Sequence, residues 1–534
     1  MDDRADYDEL AWDRNDEQKA KLENPFLCFS TVETLAAVVG AAFAEEARWL
    51  RPVHIGGWNI VFVMELIASN SRVVIRVPRP HTARFAREKT CMETATMKFL
   101  SQHTKASMPT LFSHGQHADL GYYIILDFVE NTGLLSHALA KPNEDGEEDD
   151  VAVLNMAMPS CQLEAYFYDV AVQVRHLFQP SFAAIGSLNQ IQDGLVKVGG
   201  RPLTQNMYNM VYLANIPPSV LPAEDKIHHT ADDWYTALAE MHMLQLTFQQ
   251  NDLVKDEDDC RNKYIARYLF LKLARAGKLS TFGFTDDTWS AQSRSSMRGC
   301  CTAPSNTGSF RIWCDDFRPA NILLHKGRDS GSTVIDWEFT YVAPTQFTLD
   351  PPWWLLLDVP EMWHSGIEDW AEQYGRCLDV WLQAMRRAEQ SSDETPNGFL
   401  LSAYMQESWT TGRFWLNYAA RKSWAFDSIF WRYLDERFFG RRAHELVNQE
   451  PLWRRRIGLL SRAEKIAMEA FVDRKMKESQ DKHLRTWGEQ EAQKRKAEVL
   501  LTHDQGPLRQ CYAILIRFVG HFQTVVSHLR GNTQ

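Results

Sequence analysis

The sequence predicts an α+β protein of two unequal lobes: a small antiparallel-sheet lobe, then a larger, mainly helical lobe with a helical C-terminal extension. Three observations carry this expectation. Short apolar runs with strand character crowd between residues 51 and 130 around a single helical segment. From about Leu163 the apolar spacing becomes helical. Between the two lies an acidic run, NEDGEEDD, from Asn143 to Asp150, which reads as a solvated loop where a hinge belongs.

Taken in order, residues 1–25 are polar and read as a mobile segment. TVETLAAVVGAAFAEEARWL then reads as a helix. RPVHI, GGWNIVFVMEL and SRVVIRVPRP read as three strands, the last stopped by Pro78 and Pro80. The stretch from Arg84 to Gln102 is a helix, with Met92, Ala95, Phe99 and Leu100 at helical spacing. PTLFSHG and GYYIILDFVE give two more strands, completing a β-β-β-α-β-β lobe over residues 26–135. Residues 136–460 form the second lobe, with the acidic loop at 141–152. Its amphipathic helices include YTALAEMHMLQLTFQQ and KYIARYLFLKLARAG, interrupted by the strand-loop-strand unit FRIWCDDFRPANILLHKGRDSGSTVIDWEF. Residues 461–534 are a charged helical extension whose sparse apolar residues predict a solvent-exposed helix or a helical hairpin, and the absence of a clean heptad argues against a coiled-coil partner helix.

Bulk properties exclude several classes. The 534 residues include 45% hydrophobic and 24% charged side chains, ordinary for a chain that buries a core. Eighteen Trp and 28 Phe point to a core rich in large rings. A net charge of −11 argues against general nucleic-acid binding, which needs a basic surface. Nine scattered Cys without a C-x-x-C pair read as reduced thiols of a cytoplasmic protein. The N-terminus lacks an apolar core of signal-peptide type, and no apolar run is long enough to span a bilayer. G-x-x-x-x-G-K-[ST], H-E-x-x-H and G-x-S-x-G are all missing.

The chemistry concentrates in residues 314–338. Asp316 is followed five residues later by Asn321, on a loop before the strand NILL. Asp336 ends a second strand, TVID, fifteen residues after Asn321. Phosphoryl transfer needs a carboxylate for the acceptor hydroxyl and oxygen ligands for Mg2+. A hairpin would let Asn321 and Asp336 share one metal.

IGSL, GGRPLT, CDDFRPANILL, VIDWEFTYVAPTQF and PPWWLLL make the chain resemble the aminoglycoside phosphotransferase and choline kinase-like family of the protein-kinase-like fold. The likeness is strongest to its fungal phosphotransferase enzyme group and covers about Phe26 to Glu389, and more weakly the chain to about residue 460. The resemblance implies an enzyme that moves a phosphoryl group from ATP, with Mg2+, to a hydroxyl of a small molecule. It implies a catalytic role for Asp316, with Arg318 near the transferring phosphate or paired to Asp315 or Glu338. Asn321 and Asp336 become the metal ligands, and Glu338 a support of the metal loop. Arg76, held by Glu93, becomes the phosphate-binding cation; Lys89 or Lys98 is the alternative partner of Glu93. Gly56, Gly57 and Asn59 become the phosphate-covering turn, and Leu126, Asp127, Phe128 and Val129 the hinge that meets adenine.

The resemblance implies no oligomeric state and no partner beyond the substrate. Two departures from the family pattern stand out. Cys314 replaces a bracing His, and a thiol is a weak donor. Arg76 replaces a Lys, which is not conservative at a phosphate site. They keep open the alternative of a catalytically weak pseudokinase acting as a nucleotide-binding or scaffold protein. D-W-E in place of D-F-G, with no activation loop after it, argues against a protein kinase.

Overall fold

The computed structural model describes residues 7–82, 84–142, 152–191, 194–295, 299–325, 331–391, 399–441 and 451–501. The acidic loop at 141–152, apart from Lys141, Pro142 and Ala152 at its edges, and the end of the C-terminal extension lie outside these residues.

The chain starts with two helices, α1 (Glu9–Phe26) and α2 (Phe29–Phe43), then β1 (Ala47–Ile55), β2 (Asn59–Leu66), β3 (Ser71–Pro78), α3 (Ala86–His103), β4 (Leu111–His117) and β5 (Gly121–Asp127). The five strands form one antiparallel sheet in the order β1-β2-β3-β5-β4. Period-two alternation sets its two faces. Ile60, Phe62, Met64, Ile75 and Val77 join Val32, Leu35 and Val39 of α2 in one core. Val74, Ile124 and Leu126 join the larger core that includes Ala95, Met97 and Leu100 of α3. Arg76 shares its alternation with Val74, so it faces α3.

Two sequence expectations change here. The helix read through Leu50 stops at Phe43, because Ala44 turns left-handed with φ 55°. Glu45 then accepts the backbone N–H groups of Ala68 and Ser69, tying this corner to the β2–β3 turn. The segment read as mobile also gives way, over Glu9–Phe26, to a strap across both lobes. Asp8 caps α1 and accepts from Asn251, Asn15 donates to the Tyr212 carbonyl at 2.5 Å, and Glu23 pairs with Arg79 just past β3.

The second lobe opens with β6 (Gly133–Leu134), α4 (Leu135–Leu139) and α5 (Ser160–Phe178). It continues through the hairpin β7 (Ser187–Gln190) and β8 (Val196–Gly200) and the helices α6 (Gln205–Ala214), α7 (Ala231–Phe248) and α8 (Glu257–Arg275). Then come β9 (Arg311–Cys314), β10 (Ile322–Leu324), β11 (Ser332–Val334), β12 (Thr340–Ala343), α9 (Thr345–Thr348), α10 (Ile367–Gln390), α11 (Leu401–Thr411) and α12 (Arg413–Arg421). Its core is ring-rich, with Trp234, Trp354, Trp370 and Trp381 fully buried. Trp354 of PPWWLLL packs edge-on against Trp381 at 5.7 Å, so this residue is core.

The helix Arg462–Glu478 of the extension starts with a capping box at Ser461 and Glu464. It is docked, not exposed: Phe471 is buried 5.1 Å from Tyr264 of α8, and Glu469 pairs with Arg261 at 2.8 Å. Among the described residues no single helix is long and apolar enough to cross a membrane.

Candidate active site

β10 and β11 form the expected hairpin, with Ile322 opposite Val334. The Ile335 N–H donates to the Asn321 carbonyl at 2.9 Å, which sets the end of one strand beside the start of the Asp336 turn. β9 pairs with β12, placing Cys314 opposite Thr340. The two short ladders fix both ends of the 314–338 segment.

At the first end, Asp316 is 3% exposed. One carboxylate oxygen accepts from the Asn321 amide at 2.9 Å, the other from Arg318 Nε at 2.9 Å. Arg318 therefore pairs with Asp316 itself, not with Asp315 or Glu338. Burial pushes the Asp316 carboxyl above its ordinary range, and Arg318 pulls it partly back. Asp315 accepts from the Gln205 N–H and from the Trp313 indole, locking the strand to α6.

Cys314 supplies part of the missing brace. Its thiol donates to the Glu338 carbonyl at 3.6 Å, linking the two ends of the segment. Burial pushes this thiol well up, so it stays protonated as a donor. The Asp315 N–H adds a bond to the Phe339 carbonyl at 3.2 Å.

At the second end, Asp336 sits in a left-handed turn with φ 62°, a conformation that Asp tolerates better than most residues. Its carboxylate accepts from Arg76 Nη1 at 2.9 Å. The other Arg76 arm pairs with Glu93, whose second oxygen accepts the Trp337 N–H at 3.2 Å. Arg76 thus bridges α3 to the Asp336 loop. Lys98, the alternative partner of Glu93, instead donates to Gln190 at 2.6 Å.

Asn59 was expected on the phosphate-covering turn, but it points inward. It is 5% exposed, and its amide donates to Glu338 at 3.1 Å. Lys89 meets the same Glu338 oxygen at 2.5 Å. The turn proper is Gly56–Trp58. Arg79 donates to the Gly56 carbonyl at 2.8 Å and is itself held by Glu23 of the strap. Trp58 packs edge-on against Tyr208 of α6 at 4.4 Å, closing the turn onto the second lobe.

Oxygens of Glu93, Asp336 and Glu338 all lie within 4.8 Å of one another. This oxygen-only donor set suits a hard cation such as Mg2+. Glu338 is 1% exposed, and its Oε1 has no hydrogen-bond partner among the described residues, an orphan buried acceptor on a member of the cluster. The residues fit a divalent ion: Asp336 of the expected Asn321–Asp336 pair belongs to this set, while the Asn321 amide nitrogen donates to Asp316.

At the hinge, Leu126 is core, Asp127 accepts the Thr110 N–H at 2.5 Å, and the Phe128 N–H donates to the Arg72 carbonyl. The Val129 carbonyl accepts from Asn131. Lys422 was not singled out from the sequence. It follows α12, donates to Gln205 at 3.2 Å, and bears electrostatically on Asp315 and Asp316. No local pattern marks it. Lys89 does have a sequence signal, because it stands one helical turn before Glu93 on the same face of α3.

No family model matches the chain, and no curated protein does. Several solved structures are similar in fold. A thermostable mutant of the aminoglycoside phosphotransferase APH(4)-Ia shares 14% identity over 74% of this chain and 98% of its own, at a TM-score of 0.34. The Plasmodium vivax ethanolamine kinase shares 9% identity over 73% of this chain and 81% of its own, also at 0.34. The GDP and kanamycin complex of an aminoglycoside 2"-phosphotransferase shares 11% identity over 76% and 95%, at 0.35. These likenesses are distant, so the fold is read from the chain's own topology. A five-stranded antiparallel sheet with one long helix carrying Glu93 is followed by a helical lobe whose two short strand pairs, β9–β12 and β10–β11, flank Asp316 and Asp336. This is the two-lobed, kinase-like α+β fold.

Proposed function

We propose that the chain is a phosphotransferase that uses ATP and Mg2+ to phosphorylate a hydroxyl of a small molecule. The observation that carries this reading is the bridge Glu93–Arg76–Asp336, whose two carboxylates form a cluster of oxygens with Glu338 and whose Asp336 bears electrostatically on Asp316. Such a bridge aligns a phosphate-binding cation with a metal-binding carboxylate before any nucleotide arrives.

In this reading Mg·ATP supplies the transferable phosphoryl group and the positive charge that offsets its developing negative charge. Asp336 and Glu338, with Asn321 at the neighbouring strand end, would hold the metal. Arg76 would bind phosphate oxygens with its planar fork, and Gly56 and Gly57 would cover them. The backbone of Leu126–Val129 would meet the base. Asp316 would orient the acceptor hydroxyl and take its proton, a task that its burial-raised carboxyl suits. Arg318 stands close enough to Asp316 to meet the transferring group, and Lys422 adds positive charge on the acceptor side.

A second reading, a nucleotide-binding protein with weak transfer, is favoured by one observation: both Asp316 oxygens are already engaged. The test is ADP formation with a panel of hydroxylated metabolites and antibiotics. The expected result is turnover with one class of acceptor and its loss in Asp316→Asn. Turnover unchanged in that variant contradicts the role of Asp316.

A further inference from the structure

The cluster contains a second buried cation that the proposed function does not use. Lys89 lies in the first turns of α3 and is 6% exposed. It stands four residues before Glu93, so the two side chains leave the helix on the same face. Its ammonium reaches Glu338 Oε2 at 2.5 Å and Asn59 Oδ1 at 3.5 Å. Asn59 in turn donates to that Glu338 oxygen at 3.1 Å. Lys89 therefore sits where three elements meet: α3, the root of the glycine turn, and the loop after Asp336.

Charge and geometry then separate the two cations. The three clustered carboxylates face two cations, Arg76 and Lys89. Arg76 is fixed by two carboxylates, Glu93 and Asp336, one on each terminal nitrogen. Lys89 is held by one carboxylate and one amide, on a flexible four-carbon stem. A divalent ion attracted to the orphan Glu338 Oε1 would crowd a third positive centre against these two. Like charges at such separations repel strongly in a buried site. Of the two, Lys89 has fewer bonds to lose and more freedom to turn away. The turn it lies under, Gly56–Trp58, is the segment expected to cover phosphates.

We propose that Lys89 is an exchangeable counter-ion of the metal site: it neutralises Glu338 in the metal-free chain, and a divalent ion displaces it onto the nucleotide phosphates as a second phosphate-binding cation. This rests on the proposed function. It assigns to α3 a phosphate contact in addition to the strand cation Arg76.

The test uses the full chain and two titrations: Mn2+ alone, followed by electron paramagnetic resonance, and Mg·ATP, followed by calorimetry. In Lys89→Met the Mn2+ affinity is expected to rise about tenfold, because its competitor is gone, while the Mg·ATP affinity falls about tenfold. Lys89→Arg is expected to recover much of the nucleotide affinity. The double variant Lys89→Met/Glu338→Gln leaves no buried unpaired carboxylate at Glu338, which guards against a folding failure. It is expected to bind Mg·ATP more weakly than Glu338→Gln alone. Affinities in Lys89→Met that are unchanged, or that move together, overturn the proposal, as does a double variant equal to Glu338→Gln. A wild-type chain that binds neither Mn2+ nor Mg·ATP would instead overturn the proposed function, and the role of Lys89 with it.

Discussion

Asp316 finds its side-chain partners, Arg318 and Asn321, within five residues of itself, whereas Asp336 finds Arg76 260 residues away. The Asp316 end is a local loop braced by its own short segment. The Asp336 end is an assembly of β3, α3, the start of β2 and the loop before β12, and it exists only when the lobes are docked. Local spacing can therefore announce the first in a sequence but not the second. Substitutions at the two ends should also fail differently, the first in rate and the second in stability.

The largest expected effect is at the local end. Asp316→Asn keeps the size of the side chain and should slow turnover about 10^4-fold, ~5 kcal/mol in the barrier, with little change in melting temperature. A matching loss of stability would erase the contrast. At the assembled end, Arg76→Met strands Glu93 and Asp336 without their shared cation. Breaking a buried pair in this way costs about 4 kcal/mol, read as a lower denaturant midpoint.

A third carboxylate sharpens the comparison, because its bonded partners are neutral. Asp350 accepts from Ser408 at 2.5 Å and Asn417 at 2.9 Å, beside a cavity of about 70 Å3 lined by Trp313, Phe317 and Trp353. Burial pushes its carboxyl up to about 6, against an ordinary 3.8. Between these values the folded chain binds the proton more tightly than the unfolded chain, so this contribution is full below pH 4 and lost as pH rises to 6. Asp350→Asn removes that slope. Relative to wild type, the variant should gain about 3 kcal/mol of stability between pH 4 and pH 7 in denaturant melts. A constant difference across that range would mean that Asp350 titrates normally.

The smallest effect is expected at the strap. Glu23→Gln weakens the hold on Arg79, which in turn holds the carbonyls of Gly56 and Gly57. Nucleotide KM should rise a few-fold with kcat unchanged, for a loss of about 1 kcal/mol.

Much of this architecture was legible. The strand runs and the helix carrying Glu93 followed from periodicity, and the 314–338 hairpin from two apolar runs around a turn. The partnership of Arg76 with Glu93 was implied by the family resemblance rather than by local spacing, and the two side chains do pair. What escaped depends on long-range docking. The strap α1 is polar on most of its surface, and its order comes from Asp8, Asn15 and Glu23 meeting residues far along the chain. The inward turn of Asn59 and the pairing of Lys89 with Glu338 require the lobes to be in contact. The docked helix Arg462–Glu478 hides a narrow apolar stripe, Met468, Phe471 and Val472, among charges.

The central claim is that the assembled end is a metal-dependent nucleotide site. Thermal melting of the full chain with ATP alone, Mg2+ alone and both tests it most directly, with Asp336→Asn alongside. The expected result is a clear stabilisation of the wild-type chain only when both are present, ~2.7 kcal/mol at a hundred times Kd, and none in the variant. No shift of the wild-type chain with any nucleotide, or an equal shift in Asp336→Asn, would contradict it.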